Sequence, residues 1–278
     1  MLDLWYRIIS TLLPFDWTGH MFMKNALAAI LLVTPLFGML GTMVVSNRMA
    51  FFSDSLGHGA FTGIAIGTIL GGVKPLWAAT VFSILFAVGI TVIKSKSKTS
   101  TDTIIGVFSS IAVSLGIIII TYNGLKNNSL LVGDILSIAP EEIIFLFFVF
   151  IIVVLLWLFL FNKLLLISIN QSLAASRGIN TLVVEALFTS AIAIIITATL
   201  QWVGIMLINS LLVLPAASAR NITTNVRQYH LVSIAFAVFS GVCGLIISYY
   251  LNTATGATIV LTSAMIFFVT LFFKNRFA

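Results

Sequence analysis

Charged residues are scarce in this sequence: only 8% of its 278 residues are Asp, Glu, Lys or Arg, whereas 60% are hydrophobic. A soluble domain carries about 25% charged residues because its surface faces water. This scarcity excludes an ordinary soluble protein and predicts that most of the surface faces lipid. Uncharged runs of about 20 residues recur along the chain, which is typical of membrane-spanning helices.

Cysteine is almost absent as well. Cys243 is the only one, which excludes an intrachain disulfide and a cysteine metal cluster. The sequence also lacks a phosphate-binding glycine loop ending in Lys-Ser/Thr and a His-Glu-x-x-His motif. A transporter built from this chain must therefore use an ion gradient or a separate ATPase. An intramembrane metalloenzyme is disfavoured because the three histidines lie far apart in sequence.

The apolar runs predict an all-α polytopic bundle that forms a single transmembrane domain over residues 1–278. We expect about nine spans, with eight as the alternative. Residues 1–23 lack the features of a signal peptide, and their aromatic residues suit a segment at the membrane interface. The predicted spans are 25–45, 54–72, 75–93, 103–121, 143–161, 181–200, 203–219, 231–250 and 256–273.

The positions of the basic residues predict the orientation. They are scattered singly between apolar runs, which is typical of residues that set topology and does not indicate a nucleic-acid partner. With the N-terminus outside and the C-terminus cytoplasmic, ten of the fourteen Lys and Arg residues lie in cytoplasmic connections. These ten are Arg48, Lys94, Lys96, Lys98, Lys163, Arg177, Arg220, Arg227, Lys274 and Arg276.

Asp54 and His58 are the strongest candidates for a functional site. They lie four residues apart, so a helix places them on one face, at a depth where a charge is costly and is usually retained for function. A carboxylate and an imidazole together suit Mn²⁺, Zn²⁺ or Fe²⁺. On spacing alone, the alternative is equally favoured: the two side chains pair with each other or cap the helix. Asn209 is a further candidate ligand, although a hydrogen bond between helices is the favoured role for it.

The same span carries Gly59, Gly63, Gly67 and Gly71, which form a stripe of small residues at four-residue spacing. Such a stripe lets two helices approach closely, so we expect it to serve helix packing. His20 and His230 fall at predicted span edges, and we expect them to face water or lipid headgroups. Residues 168–180 are expected to form a short cytoplasmic helix that ends at Gly178.

Three stretches make the sequence similar to a known family, the ABC-3 metal permeases. Residues 41–65, GTMVVSNRMAFFSDSLGHGAFTGIA, resemble the family pattern D-x-x-S-H-x-x-x-x-G-x-A, with Gly57 in place of the family's Ser. Residues 203–220, VGIMLINSLLVLPAASAR, resemble V-G-x-x-L-x-x-x-L-L-x-x-P-A-x-x-A. The third stretch is Gly133-Asp-Ile-Leu. The three occur in the family's order and spacing over most of the chain.

The resemblance implies a homodimeric permease in the cell membrane of a prokaryote. Two cytoplasmic ATP-binding subunits and an extracellular or periplasmic metal-binding protein would be its partners, and ATP hydrolysis would take place outside this chain. The resemblance places Asp54 and His58 on the path of a transported Zn²⁺, Mn²⁺ or Fe²⁺ ion and implies no permanently bound cofactor. It also makes residues 168–180 the loop that couples to the ATPase, through Leu173, Ala174, Ala175, Arg177 and Gly178.

Two alternatives remain open from the sequence. The first is a permease with the same architecture for a metal chelate of the siderophore or cobalamin type, whose channel would be wide and apolar. The second is a secondary carrier that is driven by an ion gradient and has no ATPase. Co-purification of an ATPase would separate the two permease functions, for a metal ion or for a metal chelate, from the carrier.

Overall fold

The computed structural model describes residues 2–12, 15–70, 74–122 and 133–274, and within these ranges every regular element is helical. Two short 3-10 turns, Asp16–Gly19 and Ile135–Ser137, accompany the α-helices. The α-helices are α1 (Leu2–Leu12), α2 (Met21–Ser46), α3 (Phe52–Leu70), α4 (Pro75–Lys96), α5 (Thr101–Tyr122), α6 (Pro140–Ile169), α7 (Gln171–Ser176), α8 (Thr181–Val203), α9 (Ile205–Ile222), α10 (Val226–Leu251) and α11 (Thr255–Phe273). The all-α class predicted from the apolar runs is confirmed.

Helix ends follow local sequence signals. α4 and α6 begin with proline, whose fixed φ suits the first helical position and whose missing N–H would have no partner there. Asn180 and Asn225 precede α8 and α10, and their side chains accept hydrogen bonds from the backbone N–H of Val183 and Gln228. These caps supply partners for N–H groups that a helix leaves without one.

Seven helices in the described ranges are long and apolar enough to cross a membrane: α2, α4, α5, α6, α8, α10 and α11. The expected count of about nine is therefore too high by this criterion. The two remaining long helices are α3 and α9, at positions where spans were predicted. In α3 the apolar content is lowered by Asp54, His58 and four glycines.

α3 nevertheless runs beside spanning helices over its whole length. A Cβ atom added at Gly67 would lie 2.9 Å from Pro75 Cα, and one added at Gly59 would lie 3.1 Å from the Phe86 ring, so α3 and α4 are antiparallel neighbours. On its other side α3 contacts α5, where the Thr62 hydroxyl donates to the Ala112 carbonyl. α3 therefore reaches the same depth as the helices that enclose it.

The bundle consists of two groups of helices. α3, α4, α5 and α8 pack together, and α2, α9, α10 and α11 form the other group. α6 joins them by packing against both α2 and α8, while α3 contacts α9 directly. The two helices that carry the polar candidates Asp54, His58 and Asn209 therefore meet where the groups adjoin.

A half-buried ion pair marks one end of the bundle. Lys94 Nζ lies 3.2 Å from Glu185 Oε2 and 3.9 Å from Met49 Sδ. At the opposite end, Trp202 donates to Glu142 at 3.1 Å. The connections that we assigned to the cytoplasm after α2 and α4 and before α8 therefore meet at the same end, as that orientation requires.

Candidate functional site

Asp54 and His58 lie on the open face of α3. Asp54 is in the first turn of α3 and His58 is one turn further along, so the helix that begins at Phe52 presents both on one side. Their side chains are 42% and 29% exposed, whereas Ser53, Ser55 and Gly59 are buried. The polar pair therefore faces away from the helices that enclose the rest of α3.

The two side chains are close but do not form a hydrogen bond. Asp54 Oδ2 lies 3.7 Å from His58 Nε2, which is within ion-pair range but too long for a hydrogen bond. Within the described part of the chain, neither side chain has a hydrogen-bond partner. Both groups therefore keep lone pairs that a cation can use.

The register of the neighbouring helices gives the depth of this pair. Gly59 faces Phe86, the twelfth of the 22 residues of α4, whereas the Ser55 hydroxyl donates to the carbonyl of Ile105, the fifth residue of α5. The pair thus lies between one end and the middle of these spanning helices, and His58, the deeper of the two, is about 10 Å from the start of α5. A charge at this depth of a bilayer is costly and is usually retained for function.

Asn209 on α9 reaches α3 through Ser53. The Ser53 hydroxyl donates to Asn209 Oδ1 at 2.6 Å, which is the hydrogen bond between helices favoured for this asparagine. Asn209 lies beside the residue that precedes Asp54, and its role as a ligand stays a prediction. The sequence analysis did not predict the contact made by Ser53, although a hydroxyl next to Asp54 in the first turn of α3 was a signal for a polar contact there.

Asp54 and His58 alone do not complete a metal coordination shell. No group of three or more His, Cys, Asp or Glu side chains that could hold a metal ion occurs among the residues that the structure describes. Zn²⁺ in proteins usually has four ligands, so water or a second copy of the chain would supply the others. Such an incomplete, open site suits an ion that binds briefly and then leaves.

The glycine stripe packs α3 against α4. A Cβ atom added at Gly63 would lie 2.6 Å from Ala79 Cα, and one at Gly67 would lie 2.7 Å from Ala78 Cβ. Gly59 faces the Phe86 ring, and Gly71 lies outside the described residues. The stripe thus occupies one face of α3 and leaves Asp54 and His58 on another.

His230 does not face water or headgroups as expected. It is only 9% exposed, its Nδ1 lies 2.9 Å from the Val226 carbonyl oxygen, and its Nε2 lies 2.9 Å from Thr42 Oγ1. The expectation was wrong because α10 begins at Val226, which places His230 one turn inside the helix and against α2. His20 is exposed.

The short helix predicted within residues 168–180 is present as α7, which covers Gln171–Ser176. Asn170 caps it by accepting from the Leu173 N–H, and Gly178, at φ +74°, follows its end. Leu173, Ala175, Arg177 and Gly178 are exposed. Ala174 is completely buried. Of the five predicted coupling residues, it is therefore the one whose side chain packs against its own chain.

These features define a class: a multi-pass helical membrane protein with a carboxylate–imidazole pair on the open face of a helix within the bundle and a short exposed helix between two long ones. The sequence of residues 19–274 matches the model of the ABC 3 transport family. The chain therefore belongs to the ABC 3 transport family, which confirms the resemblance.

Similar proteins from other bacteria align with most of the chain. An uncharacterized membrane protein of Synechocystis is 33% identical over 91% of both chains. The high-affinity zinc uptake system membrane protein ZnuB of Haemophilus influenzae is 30% identical over 85% of this chain and 92% of its own. The manganese import system permease protein ScaB of Streptococcus parasanguinis is 32% identical over 92% of this chain and 91% of its own.

The fold is also similar to solved structures. PsaBC from Streptococcus pneumoniae, solved in complex with Fab, has a TM-score of 0.75 and 28% identity, covering 100% of this chain and 98% of that one. A metal-chelate type ABC transporter in an inward-facing conformation has a TM-score of 0.69 at 15% identity, covering 89% and 85% of the two chains. The second likeness shows the fold alone.

Proposed function

We propose that this chain is the membrane permease subunit of an ATP-driven importer for a divalent transition-metal ion. The observation that carries the proposal is the Asp54–His58 pair, which is open on one side, has no hydrogen-bond partner among the described residues and lies within the length of the spanning helices α4 and α5. The names of two relatives, a zinc uptake protein and a manganese import permease, support the class of substrate. Uptake of labelled Zn²⁺ and Mn²⁺ by Asp54 and His58 variants tests it.

The transport cycle would be alternating access by a homodimer. An external metal-binding protein docks on the outside and releases the ion, which Asp54 and His58 then hold for a short time. ATP binding and hydrolysis on two cytoplasmic subunits move the dimer and expose the ion to the cytoplasm. Coordination by two side chains of one copy is weak enough for release, which transport requires.

The donor set suits more than one metal. A histidine nitrogen favours Zn²⁺, and a carboxylate oxygen favours Mn²⁺, so one of each fits both ions, with Fe²⁺ between them. The relatives divide in the same way, since ZnuB is named for zinc and ScaB for manganese. Competition between the ions during uptake identifies the substrate. A metal chelate fits less well, because its large apolar surface has no need of a carboxylate and an imidazole on the open face of α3.

α7 is proposed to contact the ATPase. Ala175→Cys, in a Cys243→Ser background, should cross-link to the ATP-binding subunit through a thiol-attached photoreactive reagent, because residue 175 is exposed on α7. Ala174→Cys is the matched control: Ala174 is next to Ala175 in sequence but completely buried, so we expect little or no cross-linking there. Electrophoresis of the purified membranes measures both products.

Two results would contradict this part of the proposal. Equal cross-linking at positions 174 and 175 would show that the exposed face of α7 does not determine the contact. Labelling of Ala175→Cys by a membrane-impermeant maleimide added outside intact cells would place α7 on the wrong side of the membrane. Absence of any ATPase from the purified protein would favour the gradient-driven carrier.

A further inference from the structure

A groove separates the second half of α6 from the first turns of α10. Its volume is about 550 Å³, within the range of roughly 300–1,000 Å³ that is common for small-molecule sites. The groove is remote from Asp54 and His58, neither of which contributes to its wall. The residues that line it include Trp157, Phe161, Asn162, Arg227, His230 and Leu231.

The lining is apolar along most of its length and polar at one end. Among the described residues, neither the Arg227 guanidinium nor the Asn162 amide has an ion-pair or side-chain hydrogen-bond partner, and no acidic side chain lines the groove. His230 has partners on both ring nitrogens, so it forms part of the wall. The groove therefore offers an uncompensated cation next to an aromatic and aliphatic channel.

The polar end lies at the level of the membrane surface. Asn162 is 22 residues beyond Pro140, the first residue of α6, which corresponds to about 33 Å of helix and slightly exceeds the roughly 30 Å hydrocarbon core. Trp157, about 26 Å along, still lies within the core. Arg227 is the second residue of α10, where the positive end of the helix dipole adds to its charge.

We propose that this groove binds an anionic phospholipid from the cytoplasmic leaflet. The lipid phosphate would accept hydrogen bonds from Arg227 and Asn162, and one acyl chain would lie against Trp157, Phe161 and Leu231. The positive charge at headgroup level and the apolar channel below it match the two parts of such a lipid, as in other basic pockets between membrane helices. A neutral, zwitterionic lipid would leave the charge of Arg227 only partly compensated.

The test is native mass spectrometry of the full-length chain in micelles that contain equal amounts of phosphatidylglycerol and phosphatidylcholine. The wild type should retain phosphatidylglycerol in preference to phosphatidylcholine. Arg227→Gln should weaken that retention by about tenfold or more, since a charge-assisted hydrogen bond is lost. Arg227→Lys should keep most of the preference, and Leu231→Trp should reduce the binding of both lipids by filling the channel.

Lys96→Gln is the matched control, because it removes one positive charge from an exposed residue at the end of α4, outside the groove. It should leave the preference for phosphatidylglycerol unchanged. Three results would overturn the proposal: no preference in the wild type, an equal loss in Lys96→Gln, or a disulfide between two copies of Leu231→Cys. The last would show that a second copy of the chain covers the groove. Circular dichroism confirms that each variant is folded.

Discussion

Asp54→Asn should abolish uptake of the transported metal while the protein stays folded and assembled. The substitution keeps the shape of the side chain and removes the charge that would hold the cation beside His58. Loss of a residue that supports a metal ligand already costs about 10–100-fold in affinity or activity, so loss of a direct ligand should cost at least about 100-fold. His58→Ala, which removes the nitrogen donor 3.7 Å away, should have the same effect. Uptake of radiolabelled Zn²⁺ and Mn²⁺ by cells measures both.

Asp102→Asn provides the matched control. Asp102 is also a carboxylate in the first turn of a long helix, α5, but it is exposed and has Gly106, not a histidine, four residues further on. Its substitution should leave uptake unchanged. If Asp54→Asn or His58→Ala prevents assembly with the ATPase, the pair has a structural role. If either variant retains uptake, its residue is not an essential ligand.

Gly63→Ala should destabilise the protein, whereas Gly106→Ala should not. A methyl group at position 63 would lie 2.6 Å from Ala79 Cα, so α3 and α4 must move apart. Overpacking of this kind typically costs about 1–3 kcal/mol. Gly106 in α5 has no atom within 4 Å of the same methyl position, and alanine is favoured over glycine in a helix by about 1 kcal/mol. Thermal unfolding of the purified full-length variants should therefore show shifts of opposite sign.

Equal melting temperatures for these two alanine variants would contradict the close contact between α3 and α4. Reduced uptake by Gly63→Ala at normal stability would instead indicate that the spacing of α3 sets the geometry of Asp54 and His58. Measuring uptake and unfolding on the same variants separates the two effects.

Apolar runs were sufficient to predict where most helices lie, because a helix in lipid must satisfy its backbone hydrogen bonds internally and its side chains must be apolar. The predicted span 181–200 agrees with α8, which covers Thr181–Val203. The span 143–161 was too short, since α6 covers Pro140–Ile169. Its last turns continue beyond the hydrocarbon core, so membrane thickness does not limit them.

The candidate site was predictable in part. Helical spacing alone brings Asp54 and His58 to one face. The hydrogen bond between Ser53 and Asn209 joins residues 156 positions apart, and the burial of Ala174 depends on the rotation of a six-residue helix against its neighbours. Neither follows from local sequence, because both depend on how helices distant in the chain pack together. The same reason applies to His230, which is buried against α2.

Transport by the purified complex tests the central claim most directly. Proteoliposomes that contain the permease and its ATPase, with ATP enclosed and the metal-loaded binding protein outside, should accumulate radiolabelled Zn²⁺ or Mn²⁺ only when ATP is hydrolysed. Liposomes with the Asp54→Asn and His58→Ala double variant should accumulate neither ion. Accumulation without ATP, or equal accumulation by the wild type and the double variant, would contradict an ATP-driven metal path through Asp54 and His58.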